Sequence, residues 1–186
     1  VPVRPLPANE PLLADRPEHI VPWGTRKPPV EAGNPANRWG FDMVLPPYEA
    51  HLGELHNLSI QRGTLTAEDR FKINDHIVQT IIMLNHLPFP GHLRNVPEIA
   101  GGHHEKMDGT GYPKRLKGQN IPIGARIVAV ANYYDRNLNP CTQHWQKTHA
   151  DAIIELQNKA GLDFEPAIVK AFIESVIPQA LRTQLK

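Results

Sequence analysis

Eleven of the chain's 19 prolines lie within its first 47 residues, and no other feature constrains the fold as strongly. Proline removes a backbone donor and drives the residue before it out of helical space. Runs such as RKPPVEAGNPANRWG and VLPPYEA therefore predict an extended, irregular arm. Trp23, Trp39 and Phe41 predict that parts of this arm pack against something. The sequence divides into a proline-rich arm or insert over residues 1–58 and a helical domain over 59–186.

Beyond the arm the period is helical. In TAEDRFKINDHIVQTIIMLNHL, Thr66 is a good N-cap, with Glu68 and Asp69 in the first turn, where the helix dipole favours them. Ile73, Ile77, Ile81 and Leu84 form the expected stripe, and Pro88 ends it. A second helix is predicted from about Val96 to Met107, with Val96, Ile99, Ala100 and His103 on one face. A third starts after Pro122, with Ile123, Ile127, Val130, Ala131, Tyr134 and Leu138 inward. A fourth opens at Thr148, with Asp151 three residues on, and stops at Gly161. The last begins at Pro166 and carries Ile168, Val169, Phe172, Ile173 and Val176. Strand alternation is weak throughout and no repeat is visible, so the predicted class is all-α.

Composition narrows the function. Twenty basic side chains nearly cancel 19 acidic ones, so no strong field draws the chain to a nucleic-acid polymer or an anionic membrane. Cys141 is the only cysteine, which excludes an internal disulfide and a cysteine-built zinc site and favours a reducing, cytoplasmic setting. No apolar run approaches the roughly 20 residues that span a bilayer. The ten histidines are a mild excess of the side chain best suited to metals and proton transfer.

Two of them, His103 and His104, stand in GGHHEKMDGTGYP, from Gly101 to Pro113. On a helix they would lie about 100° apart, so both can border one cavity. The plain alternative is a solvent-facing pair at a helix end. Gly109 and Gly111 can each take positive φ and Pro113 fixes the exit, so the backbone can turn sharply toward a ligand. Asp108 could cap or orient that ligand, and Tyr112 offers a rigid ring with a hydroxyl; equally, Asp-Gly can serve turn chemistry alone. The loop lacks the ligand repeat of a calcium hand and the Gly-Lys-Ser/Thr of a phosphate loop. His76 and Asn132 each sit beside a helix's apolar face, where a satisfied core residue is the commoner outcome. His51 with His56, and His144 with His149, are five apart, a spacing that does not stack on one helix face.

HHEKMDGTGYP resembles the signature of the HD-GYP family, bacterial phosphodiesterases that hydrolyse cyclic di-GMP. The likeness extends to RGTLTAEDRFKINDHIVQTIIML, IPIGARIVAVANYYD and AGLDFEPAIVKAFI, covering roughly residues 59–176. More weakly, LLADRPEHIVP is similar to an insert found in some members. The resemblance implies a helical bundle of the HD-domain superfamily. It also implies a centre of two or three divalent metals held by His76, His103, His104 and Asn132. Iron or manganese would suit this set, with zinc, nickel or magnesium as other options. The implied reaction is hydrolysis by a metal-bridging hydroxide. Asp108, Gly109, Gly111, Tyr112, Pro113, Asp135, Arg136 and Lys147 are the implied contacts to substrate or partner, the Gly-Tyr-Pro loop facing the site mouth or a diguanylate-cyclase-type domain.

Two departures bear on activity. The chain contains no His-Asp dipeptide, and Asn132 stands where most members carry an acidic ligand. The stretch after it, RNLNPCTQHWQK, also differs from the basic one expected. Three histidines and one amide hold a metal weakly, so a companion segment bearing the His-Asp pair is expected to complete the shell. The alternative is a degenerate module that binds cyclic di-GMP or a signalling partner without hydrolysis.

Overall fold

The computed structural model describes residues 13–61, 63–139 and 147–177, so Cys141, His144 and most of NPCTQHWQK lie outside the described residues. The chain forms two compact units, one from residues up to Pro29 with Leu45–Ile73, the other from Val30–Val44 with Asn74 onward. The described elements are helical apart from one minimal sheet and one isolated bridge, as the weak alternation predicts.

In the first unit β1 (Ile20–Val21) pairs antiparallel with β2 (Ala50–His51), Ile20 opposite His51. Proline keeps most of the arm irregular, and its aromatics hold it down. Trp23 Nε1 donates to Pro46 O at 2.8 Å, and its ring meets Phe71 edge-on at 5.5 Å. The short helix α1 (Glu54–Leu58) is capped from a distance: Asp15 Oδ1 accepts from Leu55 N at 3.1 Å and His56 N at 3.2 Å. The rings of His51 and His56 stack 4.0 Å apart, because one residue sits on β2 and the other on α1. A spacing argument confined to a single helix did not foresee that contact.

Helix α2 (Ala67–Asn85) starts as its sequence predicts. Thr66 Oγ1 accepts from Asp69 N at 3.1 Å, and Asp69 Oδ2 accepts from Thr66 N at 3.3 Å. Its buried apolar residues are Phe71, Ile77, Val78 and Ile81, whereas Ile73 is 53% exposed. Phe71 and Val78 pull the buried arc round the helix, and Ile73, about 40° beyond it, is left on the rim.

In the second unit α3 (Val96–Gly101) is half the predicted length. It stops before Met107 because Gly101 and Gly102 end it, and His103 and His104 ride on the turn that follows. Helix α4 (Ile123–Leu138) packs with α3, with α5 (His149–Asn158) and with α6 (Pro166–Ser175). Its buried side is Ala125, Ala129 and Val130, while Ile123 and Ile127 are 63% and 50% exposed. The predicted stripe is thus displaced by more than a third of a turn. Small residues decide this: a Cβ on Gly102 would stand 2.8 Å from Ala125 Cβ, so α3 approaches α4 along its alanine face. Ala129, Val130, Leu156, Phe164 and Val169 form the core between α4, α5 and α6, with Tyr133, Tyr134 and Phe172 against it. Thr148 caps α5 by accepting from Asp151 N at 3.1 Å, and Gly161 takes φ +89° at the end of the turn beyond it.

Candidate functional site

The turn after α3 presents its two imidazoles because the backbone beneath it is pressed into the unit. A Cβ on Gly101 would stand 2.4 Å from Ile81 Cγ1, so only glycine lets the turn sit this close to α2. His103 Nδ1 lies 2.6 Å from Ala100 O. A carbonyl only accepts, so Nδ1 carries the proton and Nε2 keeps its lone pair, the tautomer a metal ligand needs.

His104 points to His76 on α2, their Nε2 atoms 3.2 Å apart and the rings edge to face. The rings of His103 and His104 lie 4.1 Å apart, and Tyr112 stacks on His104 at 4.7 Å and 14°. Burial, then the neighbouring His103, His76 and Arg136, push His104 down to about 3. It is therefore neutral at ordinary pH, as coordination requires. Burial also raises the Tyr112 phenol, with Arg136 opposing, so the hydroxyl stays protonated. Arg136 lies one turn beyond Asn132 on the same face of α4.

The loop itself is built around a residue that motif reasoning passed over. Glu105 is 4% exposed, and its two carboxylate oxygens accept from Lys114 N at 2.7 Å and Leu116 N at 2.9 Å. Burial raises its pKa and the two amides oppose that rise. The available signal was a carboxylate just ahead of a proline-fixed turn whose amides need an acceptor. Gly109 has φ +85°, as predicted, but Gly111 does not share it. Gly111 is required for space: a Cβ there would stand 2.5 Å from Glu105 Cα and Lys106 N.

Asp108 turns inward on its own loop, its Oδ1 accepting from Thr110 N at 2.8 Å and Thr110 Oγ1 at 2.7 Å. These bonds hold its carboxyl below its usual range. Pro113 is buried, and its carbonyl accepts from Asp42 N at 2.7 Å. Asp135 Oδ1 accepts from Asn139 Nδ2, and Lys147 Nζ is bound to both oxygens of Glu155 at 2.6 Å. Thus His76, His103, His104, Tyr112 and Arg136 come together, whereas Asp108 and Lys147 are engaged in local pairs.

Two imidazole nitrogens 3.2 Å apart fit one cation, whose bonds of about 2.0–2.1 Å place tetrahedral donors roughly 3.3 Å from each other. Among the described residues, however, no group of three or more His, Cys, Asp or Glu is arranged to hold a metal.

A family model described as HD domain matches residues 7–168. A cyclic di-GMP phosphodiesterase of Vibrio cholerae is 34% identical over 118 residues, covering 61% of this chain and 24% of that protein. Another of the same description, from Thermotoga maritima, is 32% identical over 123 residues, covering 66% of this chain and 33% of its own length. A crystal structure of a V. cholerae cyclic GMP-AMP specific phosphodiesterase shares the fold, with a TM-score of 0.50 at 20% identity over 66% of this chain and 28% of that one. This chain spans about a quarter to a third of the curated relatives' length.

Proposed function

The chain belongs to the HD domain family, with a signature of the HD-GYP type, and from that premise we propose that it is part of a metal-dependent phosphodiesterase acting on cyclic di-GMP. Residues 59–186 would carry the catalytic helices and 1–58 their proline-rich insert. One observation carries the reading: imidazoles from α2 and from the turn after α3 meet with Nε2 atoms 3.2 Å apart. The two phosphodiesterase relatives favour hydrolysis over binding alone.

His76 and His104 would hold a divalent ion, iron or manganese suiting their imidazoles, with His103 and Asn132 as further donors. A companion segment bearing a His-Asp pair would supply the rest. When bound, such ions acidify water and offset phosphate charge. The chain's own residues prepare that chemistry. Ala100 O fixes the His103 tautomer, burial keeps His104 uncharged, and Tyr112 clamps the His104 ring. Arg136 places a permanent positive charge beside the cluster, where a phosphodiester oxygen would be drawn.

The test joins this chain to a His-Asp-bearing segment and follows cyclic di-GMP hydrolysis with added manganese or iron. Turnover that falls at least about a hundredfold in His76→Ala and His104→Ala is expected, since each removes a ligand outright. A fusion that binds metal yet stays inert overturns the reading.

A further inference from the structure

Behind the histidine-bearing turn lies a cavity of about 380 Å³, within the second unit, that none of His76, His103, His104 or Tyr112 lines. We propose that it is a binding site for a guanine nucleotide, separate from the histidine cluster. Its volume falls at the lower end of the roughly 300–1,000 Å³ typical of small-molecule sites, the size class of a mononucleotide.

The wall is prearranged for a planar ring. Trp39 lines the cavity and lies along Phe41, centroids 5.9 Å apart and planes 22° apart. Phe41 is 1% exposed, so the tryptophan has a rigid backing. The segment bearing both is cross-linked by one amide: Asn37 Nδ2 donates to Phe41 O at 2.7 Å, and Asn37 Oδ1 accepts from Phe41 N at 3.0 Å. A fixed aromatic plate loses little freedom when a base stacks on it. Ile81, Pro97 and Pro122 supply apolar surface for the other side of the ring.

The polar lining matches guanine's edges and a phosphate. Guanine offers two acceptors, O6 and N7, which suit arginine, and donors on N1 and N2, which suit a carboxylate or amide oxygen. Arg38 and Glu98 both line the cavity. Arg38 is exposed, so its fork can turn toward a ligand in the cavity. Asn85 lines it too, with Nδ2 donating to Ile81 O at 2.8 Å, which leaves Oδ1 as an acceptor. Lys114 is the lining cation for the phosphate, and the other lining carboxylate, Glu105, is already bound by the Lys114 and Leu116 amides. Adenine presents no imide N–H, and its exocyclic donor replaces the O6 acceptor, so it fits this lining less well.

The test is calorimetry in EDTA, which keeps metal out and makes the outcome independent of the proposed hydrolysis. Guanosine 5′-monophosphate should bind saturably, at least about fivefold more tightly than adenosine 5′-monophosphate. Trp39→Ala and the surface variant Arg38→Ala should each weaken binding about tenfold or more, while His104→Ala leaves it unchanged. Arg38 is exposed, so that variant stays informative if Trp39→Ala fails to fold. Competition by cyclic di-GMP would identify the dinucleotide as a source of the shared guanine-phosphate chemistry; failure to compete would assign the pocket to the mononucleotide. No saturable binding at millimolar nucleotide, equal affinity for the adenine nucleotide, or loss in His104→Ala but not in Arg38→Ala overturns the proposal.

Discussion

At the scale of single residues, the Gly101–Pro113 stretch separates into side chains gathered around His104 and side chains that make the loop. His103, His104 and Tyr112 belong to the first set, and Glu105, Gly111 and Pro113 to the second. Gly111→Ala tests the second set in isolation. Its Cβ would press on backbone at 2.5–2.6 Å, so the variant should lose about 2–3 kcal/mol in urea unfolding. An unchanged midpoint would mean that the loop can move aside. The histidines drew notice in sequence because an adjacent pair precedes a glycine turn and the family resemblance covers both. Glu105 was not, because a carboxylate bound by backbone amides looks in sequence like any other acidic residue.

At the scale of elements, caps and prolines read well from sequence and buried faces read less well. Thr66, Thr148 and Pro166 mark their helices because capping depends on a few neighbouring atoms. Thr66→Ala should cost about 1 kcal/mol, read as a lower urea midpoint. The α4 face was misread because the sequence ranks isoleucine above alanine for burial, whereas close helix packing selects small side chains. Similarly, α3 was drawn too long because the period continued past a glycine pair that the fold uses as a stop. The turn between α5 and α6 is tied to the loop by charge. Asp163 binds Lys159 at 2.8 Å and Lys106 at 3.0 Å. Burial alone would raise its pKa, but these two ammonium groups outweigh it and hold the carboxyl below 3.8. A depressed folded pKa contributes stability above the unfolded pKa, and that contribution vanishes as pH falls through the folded one. Asp163→Asn should therefore lower the melting temperature most above about pH 4, and the gap to the parent should close on further acidification. A gap that is constant from pH 7 to pH 3 would refute the assignment.

At the scale of the whole molecule, an ion gripped from two segments must stabilise the folded chain, because only that state brings His76 and His104 together. Added manganese should raise the melting temperature of the parent and of His149→Ala, whose ring instead meets Tyr134 Oη at 2.7 Å. It should leave His76→Ala and His104→Ala where they were. Equal shifts in all four proteins would place the ion elsewhere. No helix among the described residues is long and apolar enough to cross a membrane. Of the residues from Gly101 to Pro113, only Thr110 is exposed. A lineage that gave up catalysis would therefore keep at least the loop builders Glu105, Gly111 and Pro113. The surface imidazole on α2 is under no such obligation, and its disappearance would be the first mark of a retired enzyme.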